Sequence, residues 1–571
     1  MTTDAPHDTA AESAQAAASA IADGTASLGI EFGSTRIKAC LIAPDGAVLA
    51  VGAHEWENEL VDGRWSYSLD AVWAGLQAAY AELADDAQER HGVRPEVLSA
   101  IGVSAMMHGY LAIDEDGELL VPFRTWRNTS TGVAAAELTE ALEFNVPLRW
   151  SVAHLYQAVL DDEPHVGRID KLMTLAAYVH WRLTDRFVAG VGDASGMFPI
   201  DPATGGYDQV KLRIADELIG RHHDGLKLSA LLPEVLPAGA EAGTLTEAGA
   251  KLLDPTGTLR AGIRLCPPEG DAGTGMVATG AVAPRTGNVS VGTSVFAMIV
   301  LEGALSAVHP EIDVVTTPDG APVAMVHCNN GASELAAWAG VFGEFASALG
   351  TQVDSDAVFG ALLSAAAGGD ADGGGLLAYN FLSGEPIARL EAGRPLIVRT
   401  PDSRLTLGNF MRAQLGSIFA TLSMGMAVLE GEGVQVDRML AHGGILRTAG
   451  VAQRALAAAL RVPVAVRSSA SEGGAWGIAL LAAYLDAAAE LSLADFLEQR
   501  VFAAQDANEV DPDPAEVAGF ETFLERFRAG LAIERAAVEA SVQHDNAQHD
   551  SRQHDNAQHD SAQHENKEAG E

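Results

Sequence analysis

Cysteine is almost missing from this 571-residue chain: Cys40, Cys266 and Cys328 are far apart and form no C-x-x-C pair. That excludes a disulfide scaffold and a cysteine-rich zinc site. Basic residues are also scarce, 36 Lys and Arg against 77 Asp and Glu, leaving a net charge of −41. A surface of that sign repels nucleic acid and anionic lipid, so neither is expected as a partner. No run approaches the roughly 18 uninterrupted apolar residues that span a bilayer; Ser290 to Leu301 comes nearest and is too short. The amino end lacks the basic start and apolar run of a secretory signal. What remains, 48% hydrophobic and 20% charged, is ordinary globular composition. The expectation is a cytoplasmic protein of two or three domains.

Ser27 to Phe32 reads as a strand, Gly33-Ser34-Thr35 as a tight turn and Ile37 to Ile42 as a second strand. Pro44-Asp45-Gly46 makes another turn before a third strand, Ala47 to His54. Val72, Leu76, Tyr80 and Leu83 predict a helix from Ser68 to about His91, and Ala100 to Ser104 a buried strand. Helices and strands alternate from there, as in an α/β fold. After Pro267, Pro268 and Gly270 the opening pattern returns: Gly287 to Val291, the turn Gly292-Thr293-Ser294, then Val295 to Val300. The recurrence predicts two similar domains with a boundary near Cys266. Residues 1–26 are expected to be a disordered extension and 501–542 an acidic helical one. In 543–571, His544, His549, His554, His559 and His564 recur every five residues with no large apolar neighbour. Such a segment reads as a disordered, solvated tail in preference to a chelating one.

The two Gly-Ser/Thr turns offer consecutive backbone N–H groups and hydroxyls, which can cradle phosphate without a lysine. No G-x-x-x-x-G-K-[ST] loop is present. Gly273-Thr274-Gly275-Met276-Val277-Ala278 fits a dinucleotide spelling, but prolines stand where its strand belongs, so it carries little weight. Glu269-Gly270-Asp271-Ala272-Gly273 sets a carboxylate between glycines at a helix start. A plain cap needs no such glycines, which favours Asp271 as a catalytic carboxylate. Met106-Met107-His108-Gly109-Tyr110 and Trp126-Arg127-Asn128 put polar and aromatic groups at strand ends, suited to a polyhydroxylated ligand. In His442-Gly443-Gly444-Ile445-Leu446-Arg447 and at Gly473-Gly474, glycines would let a flat ring approach the backbone or let helices pack tightly.

In this order and spacing the motifs resemble the FGGY family of carbohydrate kinases over roughly residues 27–490. LGIEFGSTRIKACLI resembles its first phosphate motif, MMHGY its sugar-site motif, and DASGMFPID a further family segment. EGDAGTG resembles the motif holding the catalytic base, and NVSVGTS the second phosphate motif. YNFLSGEP with Arg412-Ala413 resembles a signature pair, and MLAHGGILR with ASEGGAWGIALLAA the adenosine-binding end.

The resemblance implies an α/β fold of two ribonuclease-H-like, actin-like ATPase domains around a cleft, with 27–265 binding sugar and 266–500 nucleotide. It implies ATP-dependent phosphorylation of a primary hydroxyl of a ketopentose, of the D-xylulose or L-ribulose type. Asp271 would be the base and would meet the sugar together with Met107, His108, Gly109, Trp126, Arg127 and Asn128. ATP would lie on Gly33, Ser34, Thr35, Gly292, Thr293, Ser294, Gly443, Gly444 and Arg447, with Mg²⁺ on Glu31. Three positions depart from the family pattern: Glu31 and Asn128 each replace an Asp, and Gln414 replaces a Glu. An ATP-driven switch and a catalytically silent sugar-binding regulator remain open alternatives. The expected partners are a sugar and ATP, with a homodimer as an open option.

Overall fold

The computed structural model describes residues 6–446, 450–467, 473–503 and 508–540. The repeat tail 543–571 and Arg447 lie outside the described residues. Strand β1 (Ser27–Phe32) is apolar and mostly buried, as a central strand must be. It runs antiparallel to β2 (Arg36–Ile42) across the turn 33–35, and β2 antiparallel to β3 (Val48–Glu55). On its other side β1 is parallel to β4 (Ala100–Ala105), and β4 to the short β5 (Arg264–Leu265) and β6 (Glu269–Gly270). Parallel neighbours need a crossover. The helix Leu69–His91 supplies the first, capped by Ser68 and ended by Gly92 at φ +72°.

The second half repeats the plan. β7 (Thr286–Val291) is antiparallel to β8 (Val295–Val300), and β8 to β10 (Pro322–Cys328). β7 is parallel to β11 (Arg438–Gly443), and β11 to β12 (Val464–Val466). β9 (Ile312–Thr316) and β13 (Asn508–Val510) extend the two edges. The order β3-β2-β1-β4-β5 therefore matches β10-β8-β7-β11-β12 in position and sense. The two Gly-Ser/Thr turns join equivalent hairpin strands, which is the duplication expected of two ribonuclease-H-like domains.

One core packs on the first sheet and takes in Met298, Val300 and Val323 from one face of the second, while a second core fills the other face of the second sheet. The helix Gly473–Tyr484 is late in sequence yet packs on β1, β2 and β4, with Trp476 Nε1 donating to the Gly46 carbonyl at 2.8 Å. The helix Leu407–Gly431 is the one described helix long and apolar enough to cross a bilayer, and 67% of its apolar window is buried. Within the amino-terminal extension the described residues begin at Pro6. Pro6–Ala22 forms a helix, because its Ala-rich sequence favours one and Ile21, 1% exposed, anchors its end. The acidic helix expected near the carboxyl end spans 514–540, and Phe520, Phe523, Phe527 and Leu531 bury one side of it in the second core.

Candidate active site

Asp271 opens the helix Asp271–Thr279, with Gly270 as N-cap. Its Oδ1 accepts the Met107 amide at 3.0 Å, so the acidic segment and the Met-His-Gly segment, 164 residues apart, touch directly. A Cβ on Gly270 would lie 2.8 Å from Met107 Cγ, which is why glycine stands there. Thr274 Oγ1 meets Ser104 Oγ at 3.1 Å and ties the helix to β4. Asp271 is exposed to solvent, yet the protein around its carboxylate desolvates it in part. That desolvation raises its pKa, against the amides of Met107 and Ala272. Beneath it Glu269 accepts the amides of Gly192 (3.2 Å) and Asp193 (2.9 Å). Asp193 accepts the Thr174 hydroxyl. Burial raises both acids, Asp193 to about 7 and Glu269 well above its usual value.

Glu31 lies on β1 just before the first turn. Its Oε2 accepts the Ala475 amide at 3.2 Å, at the start of the helix Gly473–Tyr484. Burial, then the charge of Asp271, lifts its pKa to about 7, while Lys38 and the Ala475 amide oppose the rise. Glu31 and Asp271 are thus neighbouring carboxylates whose repulsion a cation would relieve. Mg²⁺ is commonly held by one or two carboxylates with waters and substrate phosphates, and Glu31 supplies a carboxylate of that kind. Among the described residues no group of three or more metal-ligating side chains occurs.

Both Gly-Ser/Thr turns are held from behind. In the first, Trp56 Nε1 donates to the Gly33 carbonyl and Tyr67 OH to that of Ser34, each at 2.7 Å. The Trp56 amide donates to the Thr35 carbonyl at 3.1 Å. Trp56 and Tyr67 are themselves stacked, with ring centres 4.2 Å apart. In the second, the Gly292 and Thr293 carbonyls accept from the amides of Ala332 (2.8 Å) and Gly331 (2.7 Å). The tip amides of Ser34, Thr35, Thr293 and Ser294 have no partner among the described residues. Outward-facing amides of this kind form an anion-binding concavity.

Beside the second turn a cavity of about 460 Å³ is lined by Gly292, Ala336, Phe359, Leu363, Gly444 and Ile445. Gly443, at φ +136°, ends β11 there, and a Cβ on it would lie 2.1 Å from the Val291 carbonyl. Ala336, Phe359 and Leu363 were not singled out in the sequence. They occupy ordinary apolar positions on the helices Ser333–Ala348 and Ser355–Ala367, so nothing local marks them.

On the other side His108 takes the left-handed conformation, φ +73°, followed by Gly109 at +113°. His108 Nδ1 donates to the Gly196 carbonyl at 3.3 Å. Burial, then the charge of Arg149, holds its pKa well below the usual value. The neutral ring therefore presents Nε2 as an acceptor suited to a hydroxyl. Arg127 lies over the Trp65 ring at 4.7 Å and the Trp126 ring at 5.9 Å, with Trp126 40% exposed. Asn128 was expected to face the sugar. Instead its Oδ1 accepts the Trp65 amide at 2.8 Å, and its Nδ2 donates to the carbonyls of Trp65 (2.9 Å) and Thr125 (3.1 Å). Both its amide protons are used by the backbone around the hairpin Glu59–Val61/Arg64–Ser66.

Comparison with known proteins fits this geometry. Residues 26–258 match the N-terminal domain of the FGGY family of carbohydrate kinases, and residues 287–485 its C-terminal domain. A xylulose kinase of Escherichia coli (strain K12) is 26% identical over 310 residues, 49% of this chain and 56% of that one. The chain therefore spans little more than half the length of that relative. A xylulose kinase of Haemophilus influenzae is 21% identical over 88% of this chain and 99% of that one. Among solved structures, a xylulose kinase from Rhodospirillum rubrum superposes with a TM-score of 0.72 at 21% identity, covering 89% of this chain and 98% of that one. A Plasmodium falciparum glycerol kinase with ADP gives 0.69 at 14%, covering 88% and 98%. A gluconate kinase from Lactobacillus acidophilus gives 0.70 at 17%, covering 89% and 97%. With both halves matched in order, the chain belongs to the FGGY family of carbohydrate kinases.

Proposed function

We propose that the protein is an ATP-dependent kinase acting on a primary hydroxyl of a ketopentose, of the D-xylulose or L-ribulose type. The observation that carries this is the Met107 amide on Asp271 Oδ1, which sets a carboxylate beside the Met-His-Gly segment. Two relatives named xylulose kinase support a ketose, while fold neighbours named for glycerol and gluconate mark polyols and sugar acids as the competing substrates. Asp271 takes the proton of the attacking hydroxyl, and its raised pKa brings the base nearer neutrality, where general-base catalysis works best. His108 Nε2 accepts from a sugar hydroxyl, and Trp126 and Arg127 border the same side. The turns 33–35 and 292–294 hold the phosphates by their amides, so transfer depends on positioning and charge stabilisation. Glu31 would hold Mg²⁺, which when bound neutralises charge on the transferred phosphoryl group. The adenosine would lie in the cavity by Gly443 and Gly444. On this reading residues 27–265 bind sugar, 266–500 bind nucleotide, and the reaction is cytoplasmic.

The test is ADP release by purified protein across a panel of ketoses, glycerol and gluconate. Asp271→Asn is expected to lower kcat by about 10²–10⁴-fold on the best substrate with the fold retained. Near-normal kcat would remove Asp271 as the base. ADP release that needs no sugar would favour an ATP-driven switch, and ketose binding with no ADP a silent regulator.

A further inference from the structure

Nothing in this phosphoryl transfer uses the YNFLSGEP segment directly, yet it is tied to the second phosphate turn by buried amides. Asn380, 2% exposed, follows the strand Leu376–Tyr379. Its Nδ2 donates to the carbonyls of Asn330 (3.1 Å) and Gly331 (2.9 Å). Its Oδ1 accepts the Ser417 hydroxyl at 2.8 Å from the helix Leu407–Gly431. The same Ser417 oxygen accepts the Asn380 amide at 3.1 Å. Asn330, 4% exposed, grips the segment in return. Its Oδ1 accepts the amides of Leu382 (2.9 Å) and Ser383 (3.0 Å), and its Nδ2 donates to Glu385 at 3.1 Å. Gly331 and Ala332 then donate to the carbonyls of Thr293 and Gly292. A Cβ on Gly331 would lie 2.4 Å from the Gly292 carbonyl, so this backbone sits directly on the turn.

We propose that Asn380 is a positioning residue for nucleotide binding: through the carbonyls of Asn330 and Gly331 it fixes the two amides that hold turn 292–294 in its anion-binding form. The proposal rests on the reading that this turn takes the nucleotide's phosphates. The position calls for two donors facing two carbonyls and one acceptor facing a hydroxyl, which a carboxamide supplies. Aspartate has the same shape but, ionised, offers no donor and would repel both carbonyls. Loop 329–332 would then shift and release the Gly292 and Thr293 carbonyls. The turn amides would lose their fixed direction, while the sugar side of the cleft is untouched.

The experiment uses the full-length protein with ADP as the probe, comparing wild type, Asn380→Asp and Ser417→Ala. Calorimetric titration is expected to show the Kd for ADP raised about tenfold or more in Asn380→Asp, as loss of two buried hydrogen bonds implies. Hydrogen–deuterium exchange should quicken at Gly331, Ala332 and the turn, with the first sheet unchanged. Ser417→Ala removes only the hydroxyl that orients Asn380; it should move both readouts the same way by less, and it decides the matter if Asn380→Asp does not fold. ADP affinity within about twofold of wild type in a folded variant overturns the proposal, as does loosening spread evenly through the second half with no local change. The underlying reading is tested on wild type alone. If ADP fails to slow exchange across residues 287–296, the turn is not the phosphate site, and both statements fall for a reason distinct from any effect of the variants.

Discussion

Glu31 faces the charge of Asp271 from a partly buried position, and its stability effect depends on pH. Its folded pKa of about 7 lies above the usual 4.5, so between those values the folded chain keeps a proton that the unfolded chain has released. The stabilisation this carboxyl gives is complete below about 4.5 and is lost as pH rises through 7. Glu31→Gln cannot ionise, and in metal-free protein it should gain about 2–3 kcal/mol over wild type between pH 5 and pH 8. Urea unfolding at both pH values with a chelator present measures this, and an equal difference at both would show that folding leaves the Glu31 carboxyl unshifted. The crowding at Asp271 is legible in sequence, because the glycines around it advertise a close backbone, as the Met107 contact shows. Asn128 misleads for the opposite reason. An amide serves a ligand or a hairpin equally well, and only its bonds to Trp65 and Thr125 decide. Asn380 gives no local hint, because the carbonyls it holds are about fifty residues away.

The helix Gly473–Tyr484 joins the helix Asp271–Thr279 to the first sheet through glycine. A Cβ on Gly477 would lie 2.1 Å from the Thr274 carbonyl, one on Gly474 would lie 2.3 Å from Glu31 Oε1, and one on Gly29 would lie 2.1 Å from the Ala475 carbonyl. The sequence leaves two uses open for glycines here, approach of a flat ring or tight packing, and the structure assigns Gly474 and Gly477 to packing. Gly477→Ala should therefore push the helix Asp271–Thr279 outward. The expected cost is about 1–3 kcal/mol of stability, accompanied by a fall in kcat as Asp271 leaves its place. Thermal unfolding and turnover on the same preparation check it, and full activity at unchanged stability would show that the two helices have room to spare.

Besides the bonds around Asp271 and the helix Gly473–Tyr484, the halves meet through a group of polar contacts at β9. Arg149 pairs with Asp313. Asn145 Nδ2 donates to the Ile312 carbonyl at 2.9 Å, and Thr316 bonds Ser195 and Val191 at 3.0 Å each. Arg149 also lies near His108, which links the sugar side to the seam. Arg149→Ala leaves Asp313 without its cation and should loosen closure, so water competes better for the phosphoryl group. ADP release without sugar should rise about threefold or more relative to the sugar-dependent rate, by coupled assay. An unchanged ratio would show that the pair does not govern closure. Duplication of the sheets is legible from the repeated turn. The return of Gly473–Tyr484 to the first core is not, because an apolar helix carries no mark of which sheet it will cover.

Residues 514–540 lie beyond the last matched residue, 485, yet they are not an appendage. The Tyr379 hydroxyl donates to the Phe527 carbonyl at 3.0 Å, their rings stack at 4.7 Å, and Arg412 pairs with Glu516. Tyr379 immediately precedes Asn380. An expression clone cut at the family's edge would leave an aromatic furrow open along the long helix. Its product should collect in inclusion bodies, whereas a clone ending near 542 should remain in the supernatant.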